Sequence, residues 1–196
     1  MTFDELKEEI FLITNRRGLV AETDSAIKRS TLKGHKTDFY SKDVFETGVE
    51  FAAADFRQSL DYISLLSNFR AFKYFKRVED ENDDVGQDIE IISVDEVLDA
   101  YGVNRTDIAY VAGRVLEIRS SVDFSKALMG AYVLPIVTEA NYRSWIAEQY
   151  PFFIIHESAR LIFRSIGKLD EAQAQAGFVA EELAEIKMGA TIDVGS

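Results

Sequence analysis

The fold is decided by the stretch at residues 151–166, which reads PFFIIHESARLIFRSI. Pro151 suits the first turn of a helix, and Gly167 is the residue type that most often follows a helix end. The apolar side chains between them recur at helical spacing. They are Phe152, Ile155, Ala159, Ile162, Phe163 and Ile166. The stretch therefore predicts an amphipathic helix that must pack against other helices.

Further helices are predicted towards both ends of the chain. Thr2 and Glu5 have the spacing of a capping box and start a helix over about residues 3–14. A second helix is predicted over residues 19–35, a short one over 142–148, and a last one after Asp170. Each carries a single apolar stripe, so the N- and C-terminal helices are expected to form one bundle.

The middle of the chain has the composition of strands, because aromatic and β-branched residues dominate it. Strands are predicted over 44–51, 69–78 and 128–134, with a hairpin formed by 108–111 and 115–118 around Gly113. Residues 79–88 are predicted as a solvated loop, and residues 94–101 as a short helix.

These elements predict an α+β fold that is mainly α, a helical bundle with an inserted antiparallel β subdomain. The expected parts are N-terminal bundle helices at 1–43, the β-rich subdomain at 44–134, C-terminal bundle helices at 135–187 and an extended tail at 188–196.

Composition excludes several classes of protein. The formal net charge is −12, which opposes tight binding of phosphate backbones. There is no cysteine and there are two histidines, so thiolate sites and most transition-metal sites are ruled out. No apolar run is long enough to span a bilayer, and the first residues do not resemble a signal peptide.

The region from Glu79 to Asp99 contains ten acidic residues and no lysine or arginine. The acidic segment within it consists of Glu79, Asp80, Glu81, Asp83, Asp84 and Asp88. Its spacing resembles the start of a calcium-binding loop, but the glycine and the final glutamate are displaced from their required positions. A solvated acidic surface is the preferred interpretation, and no metal or cofactor is expected.

The sequence contains no nucleophile elbow, no Walker loop and no dinucleotide fingerprint. His156 and Glu157 are neighbours in the 151–166 helix and therefore point apart, so they are expected not to form a catalytic pair. The run at 69–77 places basic residues between aromatic ones, as single-strand binders do, but strand core is the preferred interpretation.

Two segments resemble the head–tail adaptor (connector) proteins of tailed bacteriophages. Residues 12–40, LITNRRGLVAETDSAIKRSTLKGHKTDFY, resemble the N-terminal helices of that family. Residues 142–151, YRSWIAEQYP, with the following helix, the GKLD turn and the alanine-rich last helix, are similar to the end of many such adaptors. The hairpin at 110–120, with Gly130-Ala-Tyr behind it, shares the resemblance.

The resemblance implies a non-enzymatic virion protein made in the bacterial cytoplasm. Such adaptors form a ring, typically of twelve subunits, that binds the portal protein on one side and a tail or stopper protein on the other. DNA passes through without specific binding, and the acidic segment could line that channel. Adaptors commonly bind the portal through a C-terminal extension, which here corresponds to Met188, Ile192, Asp193 and Val194.

Two other functions remain open at this point. The acidic segment could mimic DNA in a regulatory module that binds a basic partner protein. A hydrolase using carboxylates is the third hypothesis, although no cluster with workable spacing supports it.

Overall fold

The computed structural model describes residues 1–78, 85–98 and 102–192, and these divide into two compact units. A helical unit contains residues 1–43 and the residues from 134 onward, and a strand unit contains Val44–Val133. Both ends of the chain therefore contribute to one unit, and the other unit is inserted between them in the sequence.

The helices are α1 (Phe3–Thr14), α2 (Val20–Lys36), α3 (Tyr62–Leu65), α4 (Trp145–Gln149), α5 (Pro151–Ser165) and α6 (Leu169–Ile192). All but the short α3 belong to the helical unit. Helix α5 is its centre and packs against α1, α2, α4 and α6. The amphipathic helix predicted at 151–166 is confirmed, and its buried side chains form the core with residues such as Leu6 and Ile27.

Local hydrogen bonds fix the ends of α1. The Thr2 hydroxyl accepts a hydrogen bond from the Glu5 backbone N–H, and the Glu5 carboxylate accepts one from the Thr2 N–H at 2.8 Å. These bonds from Thr2 also lower the pKa of Glu5. The helix ends at Asn15, which has a φ of 53° and so stops helical propagation. The predicted capping box is confirmed.

Helices α2 and α5 approach each other closely at Gly34. A Cβ atom placed on Gly34 would lie 2.8 Å from a ring carbon of Phe153 and 2.9 Å from Ile146 Cδ1. Any larger side chain would therefore push the two helices apart. One turn away, the Ser158 hydroxyl donates a hydrogen bond to Ser30 at 3.0 Å, in a contact that excludes water.

The strands are β1 (Val44–Asp61), β2 (Phe69–Val78), β3 (Val85–Ile92), β4 (Ile108–Ala112) and β5 (Val115–Val133). Strand β5 pairs with β1 along one edge and with both β2 and β4 along the other. Strand β3 joins β2 to β4, so β5, β2, β3 and β4 form a closed four-stranded barrel. Phe75, Leu116, Ile118 and Met129 fill its core.

The prediction of a mainly α fold with a small β insert was wrong. The structure is 46% helix and 34% strand, and the inserted unit is a closed barrel. Strand β1 continues ten residues beyond the predicted end at Phe51, with mostly exposed side chains that give no hydrophobic alternation. Strand β5 runs unbroken through residues 119–127, which had separated two predicted strands.

The region between β2 and β4 also differs from its prediction. Strand β3 begins at Val85, within the predicted loop, and pairs with β2 and β4. The predicted helix at 94–101 is only a single 3-10 turn over Val94–Glu96 among the described residues, although Ser93 and Glu96 do form a capping box. The secondary structure of this region depends on strand pairing with residues far away in the sequence, and the local spacing of apolar residues does not reveal that pairing.

Gly130 lets an aromatic ring lie directly on the β5 backbone. Gly130 pairs with Tyr74 of β2, and a Cβ atom on Gly130 would clash with that ring. The Tyr74 hydroxyl donates a hydrogen bond to Glu46 of β1. Burial and this carboxylate raise the pKa of Tyr74 to about 12. One tyrosine thus joins three neighbouring strands across a glycine.

Gly130→Ala is expected to lower the free energy of unfolding by about 1–2 kcal/mol, because the new methyl group must displace the Tyr74 ring. Urea denaturation measures the loss. Gly48→Ala on β1 is the matched control, since a Cβ there meets no atom within 4 Å. Equal effects of the two substitutions would contradict the role assigned to Gly130.

Candidate functional surfaces

Most of the predicted acidic segment cannot be placed. Glu79, Asp80, Glu81, Asp83 and Asp84 lie outside the described residues, as does the calcium-loop spacing that they share with Asn82. Asp88 is described on β3, where its exposed carboxylate lies 3.2 Å from Lys76 Nζ. Within the described ranges, no three acidic or histidine side chains come together as a metal site would require.

The predicted portal-binding tail is partly helical. Met188 lies on α6 with 61% of its surface exposed, and α6 continues to Ile192, whereas an extended conformation had been expected from residue 188. Gly189 does not break the helix, and its backbone packs so closely against the Tyr150 hydroxyl that a Cβ would clash. Asp193 and Val194 lie outside the described residues.

A buried polar network joins α2 to α4. His35 Nδ1 lies 2.7 Å from Asp43 Oδ1, and His35 Nε2 lies 2.9 Å from the Ser144 hydroxyl. Trp145 Nε1 donates a second hydrogen bond to Asp43 Oδ1 at 2.7 Å. Because Asp43 accepts, the proton on this edge of the imidazole belongs to Nδ1. Sequence reasoning missed this network, since Ser144 is more than a hundred residues from His35.

The network has the residue types of a hydrolytic triad but the position of a structural core. His35, Asp43 and Ser144 are 1%, 5% and 5% exposed, so no substrate carbonyl can reach the Ser144 hydroxyl. That hydroxyl also accepts a hydrogen bond from the Ala147 backbone N–H and caps α4. The arrangement holds the start of the C-terminal helices against α2.

A second buried network centres on Glu157 of α5. Its carboxylate accepts hydrogen bonds from Arg160 at 2.7 and 2.8 Å and from Lys33 of α2 at 2.9 Å. Burial raises the pKa of Glu157, but the bonds from Arg160 and Lys33 outweigh burial and leave the pKa lowered. The charged form is therefore the stable one, and it ties α5 to α2.

His156 points away from Glu157, towards α6. Its ring stacks on Phe178 at 4.9 Å between centroids and lies near Phe152 at 6.3 Å, and Nδ1 is 2.7 Å from Gln175 Oε1. Phe152, expected on the buried stripe of α5, is instead 56% exposed. The three rings form an apolar ledge at the surface between α5 and α6.

The basic and aromatic run at 69–77 forms β2, and its last cation points into the barrel. Arg77 is buried and donates a hydrogen bond to the Ser120 hydroxyl at 2.8 Å, with Asp107 at 3.4 Å. Phe75 lies in the barrel core. Arg77 and Phe75 therefore stabilise the strand unit and are not accessible for contacts with nucleic-acid bases.

A shallow groove follows the outward side of α2 and is here named the α2 groove. One part, of about 340 Å³, lies between α2 and α5 and is lined by residues that include Ser25, Arg29 and Leu161. A second part, of about 450 Å³, continues along α2 past Leu32 and Lys36. The α2 groove combines an apolar floor with three cations, Arg29, Lys33 and Lys36, and one carboxylate, Glu22, in a chain of strongly negative net charge.

One solvent-exposed side of α6 is here named the α6 outer face, and Phe178 lies at its edge towards α5, where it stacks on His156. This face consists of Phe178, Glu181, Glu185 and Met188, all exposed. At 100° per residue, these four side chains lie within about 80° of the helix circumference. Burial and the nearby carboxylates of Glu185 and Glu181 raise the pKa of Glu182 at the edge of this face. The acidic charges there repel one another.

Comparison with known proteins assigns no function to these surfaces. No protein-family model matches the chain, and no curated protein matches it. Among the described residues, no helix has both the length and the apolar character needed to cross a membrane.

Proposed function

We propose that this chain is a structural adaptor of a tailed bacteriophage, and that it assembles into a ring of typically twelve subunits at the head–tail junction. The ring sits beneath the portal protein, binds a tail or stopper protein on its other side and surrounds the DNA path. The chain is made in the host cytoplasm and ends up in the virion. It has no catalytic role and requires no cofactor.

One observation supports the proposal most. The two segments that carry the resemblance, 12–40 and 142 onward, pack against each other within one unit. Thr31 and Tyr142 share a hydrogen bond of 2.7 Å, His35 bonds to Ser144, and Gly34 lies against Phe153. Segments that resemble one family at both ends, and fold together, are what a single inherited helical unit predicts.

The charge of the chain also suits a conduit. At a net charge of −12, the wall of such a ring repels phosphates, so DNA can pass without being held. The acidic segment is the part of the chain best suited to that wall. Portal binding is assigned to the residues after Lys187, of which Met188 is exposed on α6.

Mass photometry of the purified protein, alone and mixed with the portal protein of the same phage, tests the proposal. Twelve copies of the 22.1 kDa chain form a particle of about 265 kDa. We expect closed rings, either alone or on the portal, and loss of portal docking when residues 188–196 are deleted. A monomer that ignores the portal would refute the proposal and redirect attention to the acidic segment as a partner-binding surface.

A further inference from the structure

Two surfaces of the helical unit expose apolar side chains beside charged ones. The α6 outer face presents two apolar side chains, Phe178 at 48% and Met188 at 61% exposure, beside the carboxylates of Glu181 and Glu185. The α2 groove presents apolar Leu32 beside the cations of Arg29 and Lys36. The α6 outer face is therefore apolar and acidic, and is called the ridge below. The α2 groove is apolar and mainly basic, and is called the trough below.

We infer that the α6 outer face of one subunit docks into the α2 groove of a second copy of this chain. This inference rests on the proposed ring and assigns it the contact between neighbouring subunits. In that contact Glu181 and Glu185 lie beside Arg29 and Lys36, and Phe178 and Met188 cover the apolar floor. Apolar side chains enclosed by complementary charges are the usual composition of a specific interface.

The dimensions of the two surfaces agree. The ridge from Phe178 to Met188 is about 15 Å long at a rise of 1.5 Å per residue. The part of α2 that lines the groove, Ala21 to Lys36, is about 22 Å long on the same basis. The groove is therefore long enough to hold the whole ridge.

Charge argues for a second copy as the occupant. Two chains of net charge −12 repel each other over most of their surfaces, so association needs a local patch of the opposite sign. The α2 groove supplies that patch. The clustered carboxylates of Glu181, Glu182 and Glu185 repel one another in the free chain, and nearby cations would relieve that repulsion.

A ridge and a trough on different helices make a head-to-tail contact. An open dimer formed this way still has one unused ridge and one unused trough, so subunits add until a ring closes. A symmetric two-fold dimer would bury the same patch of both chains and could not grow. The inferred contact thus provides the geometry that the proposed function requires.

Charge reversal tests the pairing. Arg29→Glu with Lys36→Glu makes the trough acidic, and Glu181→Lys with Glu185→Lys makes the ridge basic. Each double variant is expected to associate roughly 100-fold more weakly than the wild type in 0.1 M salt, as seen by mass photometry and sedimentation velocity. Raising the salt to about 1 M, which shortens the Debye length to ~3 Å, should weaken wild-type association as well.

Restoration of complementary charges gives the sharper readout. The quadruple variant carries both pairs of substitutions and so combines a basic ridge with an acidic trough. In a mixture of the two double variants, the basic ridge of one chain can bind the acidic trough of the other. Both are expected to recover rings. Arg16→Glu with Arg114→Glu is the matched control, because both arginines are exposed and lie outside the groove. Circular dichroism confirms that each variant is folded.

The outcomes separate this inference from the proposed function. Rings that persist in both double variants would show that the ring exists but uses other surfaces. Double variants that fail and are not rescued by the quadruple change would exclude the ridge-to-trough pairing. A wild type that stays monomeric at its highest soluble concentration would also overturn the pairing. Portal docking of the full-length chain decides the proposed function separately, because deletion of residues 188–196 also removes Met188 from the α6 outer face.

Discussion

Asp43→Ala is expected to lower the free energy of unfolding by about 3–5 kcal/mol. The substitution removes the acceptor for two donors, the buried His35 Nδ1–H and the half-buried Trp145 Nε1–H. Each buried donor left without a partner costs about 1–3 kcal/mol, and the lost side chain leaves a cavity as well. The network holds α4 against α2, so the helical unit should lose stability as a whole.

Urea denaturation followed by Trp145 fluorescence measures this effect. Asp43→Asn keeps an acceptor oxygen in the same place and is expected to cost about 1–2 kcal/mol, less than alanine does. Glu9→Ala, an exposed change on α1, is the control and should be close to neutral. If Asp43→Ala were as mild as Glu9→Ala, the network would not be structural.

Glu157→Gln is expected to lower the free energy of unfolding by about 2 kcal/mol at neutral pH. Glutamine keeps the size of the side chain but removes the charge that accepts bonds from Arg160 and Lys33. The cost stays below that of a fully buried pair, because Lys33 is 45% exposed and regains water.

The effect of Glu157 should depend on pH in a defined direction. The folded pKa of Glu157 lies below its ordinary value of 4.5, because the hydrogen bonds from Arg160 and Lys33 outweigh burial. Its contribution is therefore complete above about pH 5 and is lost as the pH falls through the folded pKa. The stability difference between wild type and Glu157→Gln should shrink in acid. A difference that grows in acid would contradict the assigned ion pairs.

The helices of the helical unit were predictable because local signals specify them. Thr2 and Glu5 form the capping box that their spacing predicts, and Pro151 starts α5 as expected. The strands were harder, since β1 and β5 are held by partners far away in the sequence. Where β1 passes residues 52–57, its side chains are exposed, and no hydrophobic period marks it as a strand.

The candidate functional residues were also predictable only where local geometry determines them. The exposure of Met188 and Phe178 could not be read from the sequence, because α6 is apolar on more than one side and the packing of α5 chooses the buried one. The His35 network had no sequence signal beyond the scarcity of histidine. By contrast, the divergence of His156 and Glu157 followed from helical geometry alone, and the structure confirms it.

The stabilising networks and the assembly surfaces meet at Lys33, which bonds to Glu157 and also lines the α2 groove. His35 and Glu157 bind α2 to α4 and α5 from within, whereas Arg29 and Lys36 face outward from α2. Substitutions in the two groups should therefore separate folding from assembly. Asp43→Ala should weaken both. Arg29→Glu with Lys36→Glu should weaken association more than stability, because the loss of a cation from the last turn of α2 costs only about 0.3–1 kcal/mol.

Cryo-electron microscopy of the assembled wild-type protein tests the central claim most directly. The account predicts closed rings with rotational symmetry in which α6 of each subunit, with Phe178 and Met188, lies in the α2 groove of its neighbour. Monomers, two-fold dimers or open aggregates, both alone and with the portal protein, would contradict the account.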